Sequence, residues 1–396
     1  MNACIQSRGR ETTAGRACAE RPGRYLALVA ALFALSIVAH LVVAVAQVGV
    51  PTATTESAAI YDVAQRRIAV EFAGPKIAYV GGSSGFYSVR AGEIAGVVGQ
   101  QCVNLGLHAG LGASYLLNRA AAVMQRGDTC VLGLEYELYA EERPGEFFCD
   151  FVMARDRAYF NKLTWREQIG IIVAAGPGRI WAAAGSGLWP QEYATGAAVL
   201  MNLSSRGDRL NTSPADRPYP SRLATCPVFE SSLFERVTPR CAIAIDSFLA
   251  TCREKGIRVL VTYPPLCITG VPDPAVERRL HDRFLAFWGE RNISVIGTPG
   301  DSLYSASESF DTPYHLVEAA AYRHSHRLGE HLRQAGIDTT AVGPLNSCRV
   351  YRAAQYSSQP RSEAADSNHY LPLSAGIGGA GRWAGDKFSG PVQASE

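Results

Sequence analysis

The chain has 396 residues, 47% of them hydrophobic and 19% charged, enough for one large or two ordinary domains with a sizeable core. Its formal net charge is +2. No Lys/Arg block is interleaved with aromatic residues, so the electrostatic footprint of a nucleic-acid binder is missing and no nucleic acid is expected as a partner.

Residues 1–24 carry Arg8, Arg10, Arg16, Arg21 and Arg24, and residues 25–46 form an apolar run in which only Ser36 and His40 are polar. As a helix that run is about 33 Å long, enough to cross a bilayer. No Lys or Arg follows it until Arg66. The basic side stays in the cytoplasm. The expectation is therefore a cytoplasmic segment over 1–24, a single transmembrane anchor over 25–48 and an extracytoplasmic body, periplasmic in a Gram-negative cell. Two rival readings stand beside it. A cleaved signal peptide would use the small residues Ala44-Val45-Ala46, but its apolar core would be shorter; a buried core helix would show a polar face.

Residues 49–70 read as a polar connector that becomes a short helix. Strand and helix signals then alternate, with strands predicted over 76–80, 101–105, 129–135, 257–263 and 293–296. Most are apolar throughout, as strands of a parallel sheet covered on both faces are. Thr238-Pro239 and Asp273-Pro274 offer an N-cap followed by proline at the first helical position, and Gly127, Gly256 and Gly336 stand where helices should stop. The fold class is therefore α/β: a doubly wound parallel sheet of about five strands within a domain over 71–345, with ligands gathering at the carboxyl ends of the strands. A long insertion over about 140–237 interrupts it. Its first half is helical and aromatic, and 204–221 is a polar loop. It reads either as a lid or docking element beside the site or as structure unrelated to the chemistry. Residues 346–396 have few large apolar side chains and are expected to be a disordered tail.

The sequence contains ten cysteines, eight of them beyond the apolar run, an even number in a compartment that permits disulfides. Spacing does not assign pairs. None forms a C-x-x-C motif, so no zinc site is expected. His324, His326 and His331 fall at helical spacing but lack H-E-x-x-H, and are read as a solvated helix face. No cofactor is called for.

The stretch "KIAYVGGSSGFYSV" (76–89) ends an apolar strand in two glycines and two serines. A hydroxyl delivered there lies at the carboxyl edge of the sheet, and the following helix would aim its first amides at the same place. Ser83 is the candidate nucleophile, with Ser84 as the substitute. A plain turn and an anion-cradling loop fit the same residues. In "SFDTPYHLVEAAAYRH", Asp311 and His315 flank Pro313 just before a helix. Imidazole can take a serine proton while a carboxylate on its other nitrogen fixes the tautomer.

"VGGSSGFYS", "VNLGLHAG" and "DTPYHL" resemble the first, second and closing blocks of the SGNH/GDSL hydrolase superfamily. With the N-terminal anchor, the pattern is similar to the membrane-anchored bacterial branch that modifies cell-surface or exported polysaccharides. The resemblance implies a flavodoxin-like sheet, Ser83 as nucleophile, His315 as base, Asp311 as acid, and the amides of Ser83 and Gly106 as oxyanion donors. It also implies an esterase or O-acyltransferase whose partners are an acylated glycan or acyl donor, the membrane through the N-terminal helix, and other envelope proteins of a polysaccharide-modification complex. The chain departs from the family pattern twice. The third-block Asn is missing from "LGLEYELY", where Glu135 stands, so Asn104 would have to serve the oxyanion. The acid lies four residues before the histidine rather than three. Ser84, Glu135 and Tyr263 of "TYPP" are candidate cleft residues. The alternative is a catalytically inactive scaffold or glycan-binding subunit.

Overall fold

The structure, a computed structural model, describes residues 22–188, 199–218 and 226–337. Most of the expected cytoplasmic segment and the whole of the expected tail at 346–396 lie outside the described residues. The chain divides into two units that part between Val48 and Gly49. The first contains α1 (Pro22–Ala46), an apolar helix long enough to cross a membrane and equally compatible with an anchor or a signal sequence.

The second unit begins with α2 (Glu56–Glu71), longer than the short helix expected at the end of the connector. Its centre is a five-stranded parallel sheet in the order β2-β1-β3-β4-β6, built from β1 (Ile77–Gly81), β2 (Cys102–Asn104), β3 (Thr129–Gly133), β4 (Arg258–Val261) and β6 (Ser294–Val295). This is the flavodoxin-like doubly wound arrangement. β1 and β3 are buried along their whole length, which is why both read as unbroken apolar runs. At their amino ends the buried Lys76 Nζ meets Asp128 Oδ2 at 2.8 Å. Lys76 therefore precedes the strand rather than opening it. A second pair of parallel strands, β5 (Leu266–Ile268) and β7 (Leu303–Ser305), was not foreseen.

The chain leaves β1 toward β2 on one side and returns to β3 on the other, so the carboxyl ends of β1 and β3 flank the switch point where ligands bind in such folds. Short helices start there: α3 (Ser83–Ser88) after β1, and α6 (Tyr136–Tyr139) after β3, with α4 (Ala91–Val98) and α5 (Gly112–Val123) between them in the chain.

The insertion supplies α7 (Glu146–Arg155), α8 (Arg157–Lys162) and α9 (Trp165–Leu188), the last kinked at Gly176 before Pro177. The expected polar loop is, over residues 203–212, a hydrogen-bonded strap along the open edge of β2: Asn104 N donates to Arg206 O at 2.8 Å, and an Arg206 guanidinium nitrogen to Cys102 O at 3.1 Å. It covers the backbone groups an edge strand would otherwise leave exposed.

The closing helices keep the predicted signals. In α10 (Pro239–Lys255), Thr238 accepts from Cys241 N, and Gly256 ends the helix at φ 69°; in α11 (Pro274–Gly289), Asp273 accepts from Ala275 N. α12 (Glu318–Gln334) turns His324 inward, where Nδ1 lies 3.1 Å from the Tyr304 hydroxyl. The solvated-face reading is therefore wrong for His324, since Ala320, Leu328 and Leu332 bury the same stripe. Seven cysteines are free buried thiols, with no disulfide among the described residues.

Candidate active site

β1 runs through Gly81 and Gly82 directly into α3. Neither glycine has a positive φ, so the turn does not need glycine's freedom. It needs glycine's size. A Cβ on Gly81 would sit 2.5 Å from Gly133 O, and one on Gly82 would sit 2.4 Å from the Glu135 carboxylate.

That carboxylate governs the start of α3. Glu135 Oε2 accepts from Gly82 N at 3.0 Å, and Oε1 from Ser84 N at 2.7 Å. Burial pushes the Glu135 carboxyl up, while the Ser84 hydrogen bond opposes the rise. Glu135 is thus a buried cap and not a cleft residue: the anion at this helix start is the protein's own. Ser84 is fully buried beside it, so of the two serines only Ser83, half-buried at the first helical position, presents its side chain toward solvent. The Ser83 amide, between the two that Glu135 holds, has no partner among the described residues.

The other two oxyanion candidates are spent elsewhere. Asn104 Nδ2 donates to Gly85 O at 2.9 Å and Val89 O at 3.1 Å, and Asn104 Oδ1 accepts from Gly106 N at 2.8 Å. The side chain straps β2 to α3. It has no donor left, and Gly106's N–H is also occupied. Tyr263 is likewise displaced from the cleft: it is fully buried, 4.5 Å from Phe284 ring to ring, with its hydroxyl 2.7 Å from His281 Nδ1.

His315 lies across from α3. Its Nδ1 is 2.5 Å from Asp311 Oδ1, so the four-residue spacing reaches. A tight turn explains why: His315 N donates to Thr312 O at 3.1 Å, and Phe310 N to His315 O at 2.6 Å. Burial would raise the Asp311 carboxyl, but the charge and hydrogen bond of His315, with Arg209 beyond, hold it below the usual range. Asp311 is an ionised partner.

The imidazole stacks on Tyr87, centroid to centroid 3.9 Å and 6° from parallel. Tyr87 is four residues after Ser83, so both side chains occupy one face of α3. Tyr87 thus sets the His315 ring one helical turn along α3 from Ser83, and among the described residues no hydrogen bond joins Ser83 Oγ to the imidazole. Catalytic hydrogen bonds are often long without substrate. From the same helix, Ser88 Oγ donates to Tyr314 O at 3.0 Å and accepts from Leu316 N at 2.9 Å, gripping the backbone on both sides of His315.

Sequence reasoning missed four contributors: Ser88, Tyr87, His108 and Arg209. The first two lie in the same stretch, Tyr87 four residues after Ser83 and Ser88 four residues after Ser84. His108 lies in the second block, and its loop is brought beside the β1–α3 junction by Leu107 N donating to Gly81 O at 3.2 Å. Its Nδ1 accepts from Gly110 N at 3.0 Å, which puts the proton of the neutral ring on Nε2. Burial, then the nearby charge of His315, lowers it to about 4. Arg209 comes from the strap: its N donates to Phe86 O at 3.0 Å, its guanidinium lies 5.7 Å over the Tyr87 ring, and it bonds the Tyr61 hydroxyl. Burial pushes the Tyr87 hydroxyl up to about 12, with Arg209 pulling down and Asp311 pushing up. Nothing in the polar run around Arg209 signals that position. Among the described residues no cluster could hold a metal.

No protein-family model and no curated protein matches the chain. Among solved structures, that of the protein YxiM from Bacillus subtilis is similar at 11% identity and a TM-score of 0.33, over 67% of this chain and 58% of that one. The match spans less than two thirds of YxiM, and a likeness at that level says nothing of what the chain does.

Proposed function

We propose that the chain is a membrane-anchored, extracytoplasmic serine esterase or O-acyltransferase acting on acyl groups of a cell-surface or exported polysaccharide. The observation that carries this reading is the His315–Asp311 pair at 2.5 Å, stacked on a tyrosine one helical turn from Ser83. With Nδ1 facing the carboxylate, Nε2 is left to take the Ser83 proton. Ser83 Oγ attacks the acyl carbonyl, and the tetrahedral oxyanion is met by the Ser83 amide. Collapse expels the sugar or donor alcohol, which takes the proton from His315. Water as the second acceptor gives ester hydrolysis; a sugar hydroxyl gives acyl transfer. The glycan as substrate class and the anchored topology rest on the motif resemblance and on the apolar α1.

One observation favours a second reading, a catalytically inactive scaffold or glycan-binding subunit: Glu135, Asn104 and Gly106 consume amides and a side chain that an oxyanion hole would use. Labelling of the full chain in detergent with a fluorophosphonate separates the two. The enzyme reading expects labelling of the wild type, none in Ser83→Ala, and a large slowing in His315→Ala. Labelling that persists in Ser83→Ala removes the nucleophile; an unlabelled wild type that still binds glycan supports the scaffold.

A further inference from the structure

The insertion carries a feature that the chemistry of Ser83 does not use. On α9, Trp165, Ile169 and Val173 recur every four residues and are 66%, 43% and 64% exposed, and beyond the kink Trp181 is 77% exposed. Ile171, Ile172, Arg179 and Ala183 are buried on the other side. Between Gln168 and Trp181 the only charged residue is Arg179, and it faces inward. From Ile169 to the kink the outward face carries no charge, and the stripe from Trp165 to Val173 is about 12 Å long. Trp181 is exposed beyond the kink. Soluble surfaces scatter such residues singly and do not align them.

The inward face of α9 indicates what lies over the outward one. Arg179 reaches Asp150 at 3.1 Å and donates to Val50 O at 2.9 Å, while Gly49 N donates to Met153 O at 2.7 Å and Arg155 to Thr52 O at 3.1 Å. Helices α7 and α9 therefore grip residues 49–52, the first of the second unit. Val50 is four residues along the chain from the last residue of α1, at most about 14 Å of extended backbone. If α1 crosses a bilayer, α9 is held within a few residues of the point where the chain leaves it.

We propose that α9 lies in the headgroup–acyl boundary of that bilayer, with Trp165, Ile169, Val173 and Trp181 inserted. Interfacial helices combine an apolar face with tryptophan anchors and flanking cations. Arg166 lies over the Trp165 ring and Lys162 is exposed three residues before it, two cations against the one exposed acid Glu167, and they meet anionic headgroups. The insertion then gives the protein a second membrane contact besides α1. The inference depends on α1 spanning the membrane and is independent of the reaction proposed for Ser83.

Full-length protein in nanodiscs containing a photoactivatable phospholipid tests it by peptide mapping of lipid adducts. Adducts are expected in α1 and in 165–182, and the α9 adducts should fall at least fivefold in the double variant Ile169→Glu/Val173→Glu while those in α1 persist. A circular dichroism spectrum unchanged from the wild type is the control that the variant is folded. Adducts confined to α1 overturn the proposal and assign the stripe to a second copy or another protein. Adducts in neither helix overturn it together with its premise. Adducts on α9 that survive the double substitution show that the stripe is not the inserted face, and overturn it too.

Discussion

Asp311 has two effects at once. In the proposed reaction its carboxylate fixes the proton of His315 on Nδ1 and supports the imidazolium formed when Ser83 gives up its proton. Asp311→Asn keeps the shape but stabilises the wrong tautomer, so the rate of fluorophosphonate labelling should fall by about 10³–10⁴-fold with little change in melting temperature. Two other imidazoles are held neutral. Burial lowers His324 to about 3, with Arg327 and His331 adding to the effect, as burial and His315 lower His108 to about 4. In the unfolded chain both return to about 6.5. Below that value the unfolded state binds protons that the folded state refuses, so stability is complete above about pH 6.5 and is lost as pH falls toward the folded values. Each such group contributes a slope of up to about 1.4 kcal/mol per pH unit. Melting temperatures at pH 4.5 and 7.0 should therefore differ less in His324→Gln, which keeps an acceptor for Tyr304 and does not titrate. An unchanged difference would mean that His324 is not held neutral by its burial.

Helix α3 is short, yet it organises the site through both of its ends. Its first turn is tied to β3 by Glu135 and its last to the histidine loop by Ser88, with Tyr87 stacked on His315 between them. Small residues let it lie this close: a Cβ on Gly85 would fall 2.4 Å from the Tyr79 ring, and one on Gly106 would fall 2.4 Å from Phe86 N. Ser88→Ala removes a donor to Tyr314 O and an acceptor from Leu316 N in a fully buried place. Leaving such groups unpaired costs about 1–3 kcal/mol. A lower melting temperature is the structural part of that result. The positional part is a drop in labelling rate of about tenfold measured at a temperature where the variant is still folded, because His315 lies between the two released backbone groups. Stability loss with an unaltered labelling rate would limit Ser88 to a structural role.

At the scale of the whole molecule, the parts legible in the sequence were those whose cause is local or periodic. All five strands of the main sheet were readable to within two residues at each end; β1 and β3 are buried throughout and so read as unbroken apolar runs, and the caps at Thr238, Asp273 and Gly256 carry their own signals. The β5–β7 pair was not readable: Leu266–Ile268 follows directly on Pro264-Pro265, which reads as the end of a strand, and Leu303–Ser305 is set among polar residues. At the site, the types of Ser83, Asp311 and His315 stood out, but the duties of Asn104, Gly106, Glu135 and Tyr263 did not. Their partners are supplied by other elements, and spacing carries no record of them. The strap over β2 makes the same point and offers a test. Gly207 holds φ 90°, and a Cβ there would lie 2.3 Å from Asn104 O, so only glycine lets the strap approach the strand. Gly207→Ala must push the strap off, breaking the Asn104–Arg206 hydrogen bond, uncovering the β2 edge, and withdrawing Arg209 from Tyr87 and Asp311. Amide hydrogen exchange in residues 102–104 should rise by at least tenfold, the variant should aggregate more readily through its bared edge, and labelling of Ser83 should slow in parallel. Faster exchange with full labelling would show that the strap protects the sheet alone. Unchanged exchange would show that the strap does not depend on a glycine at 207.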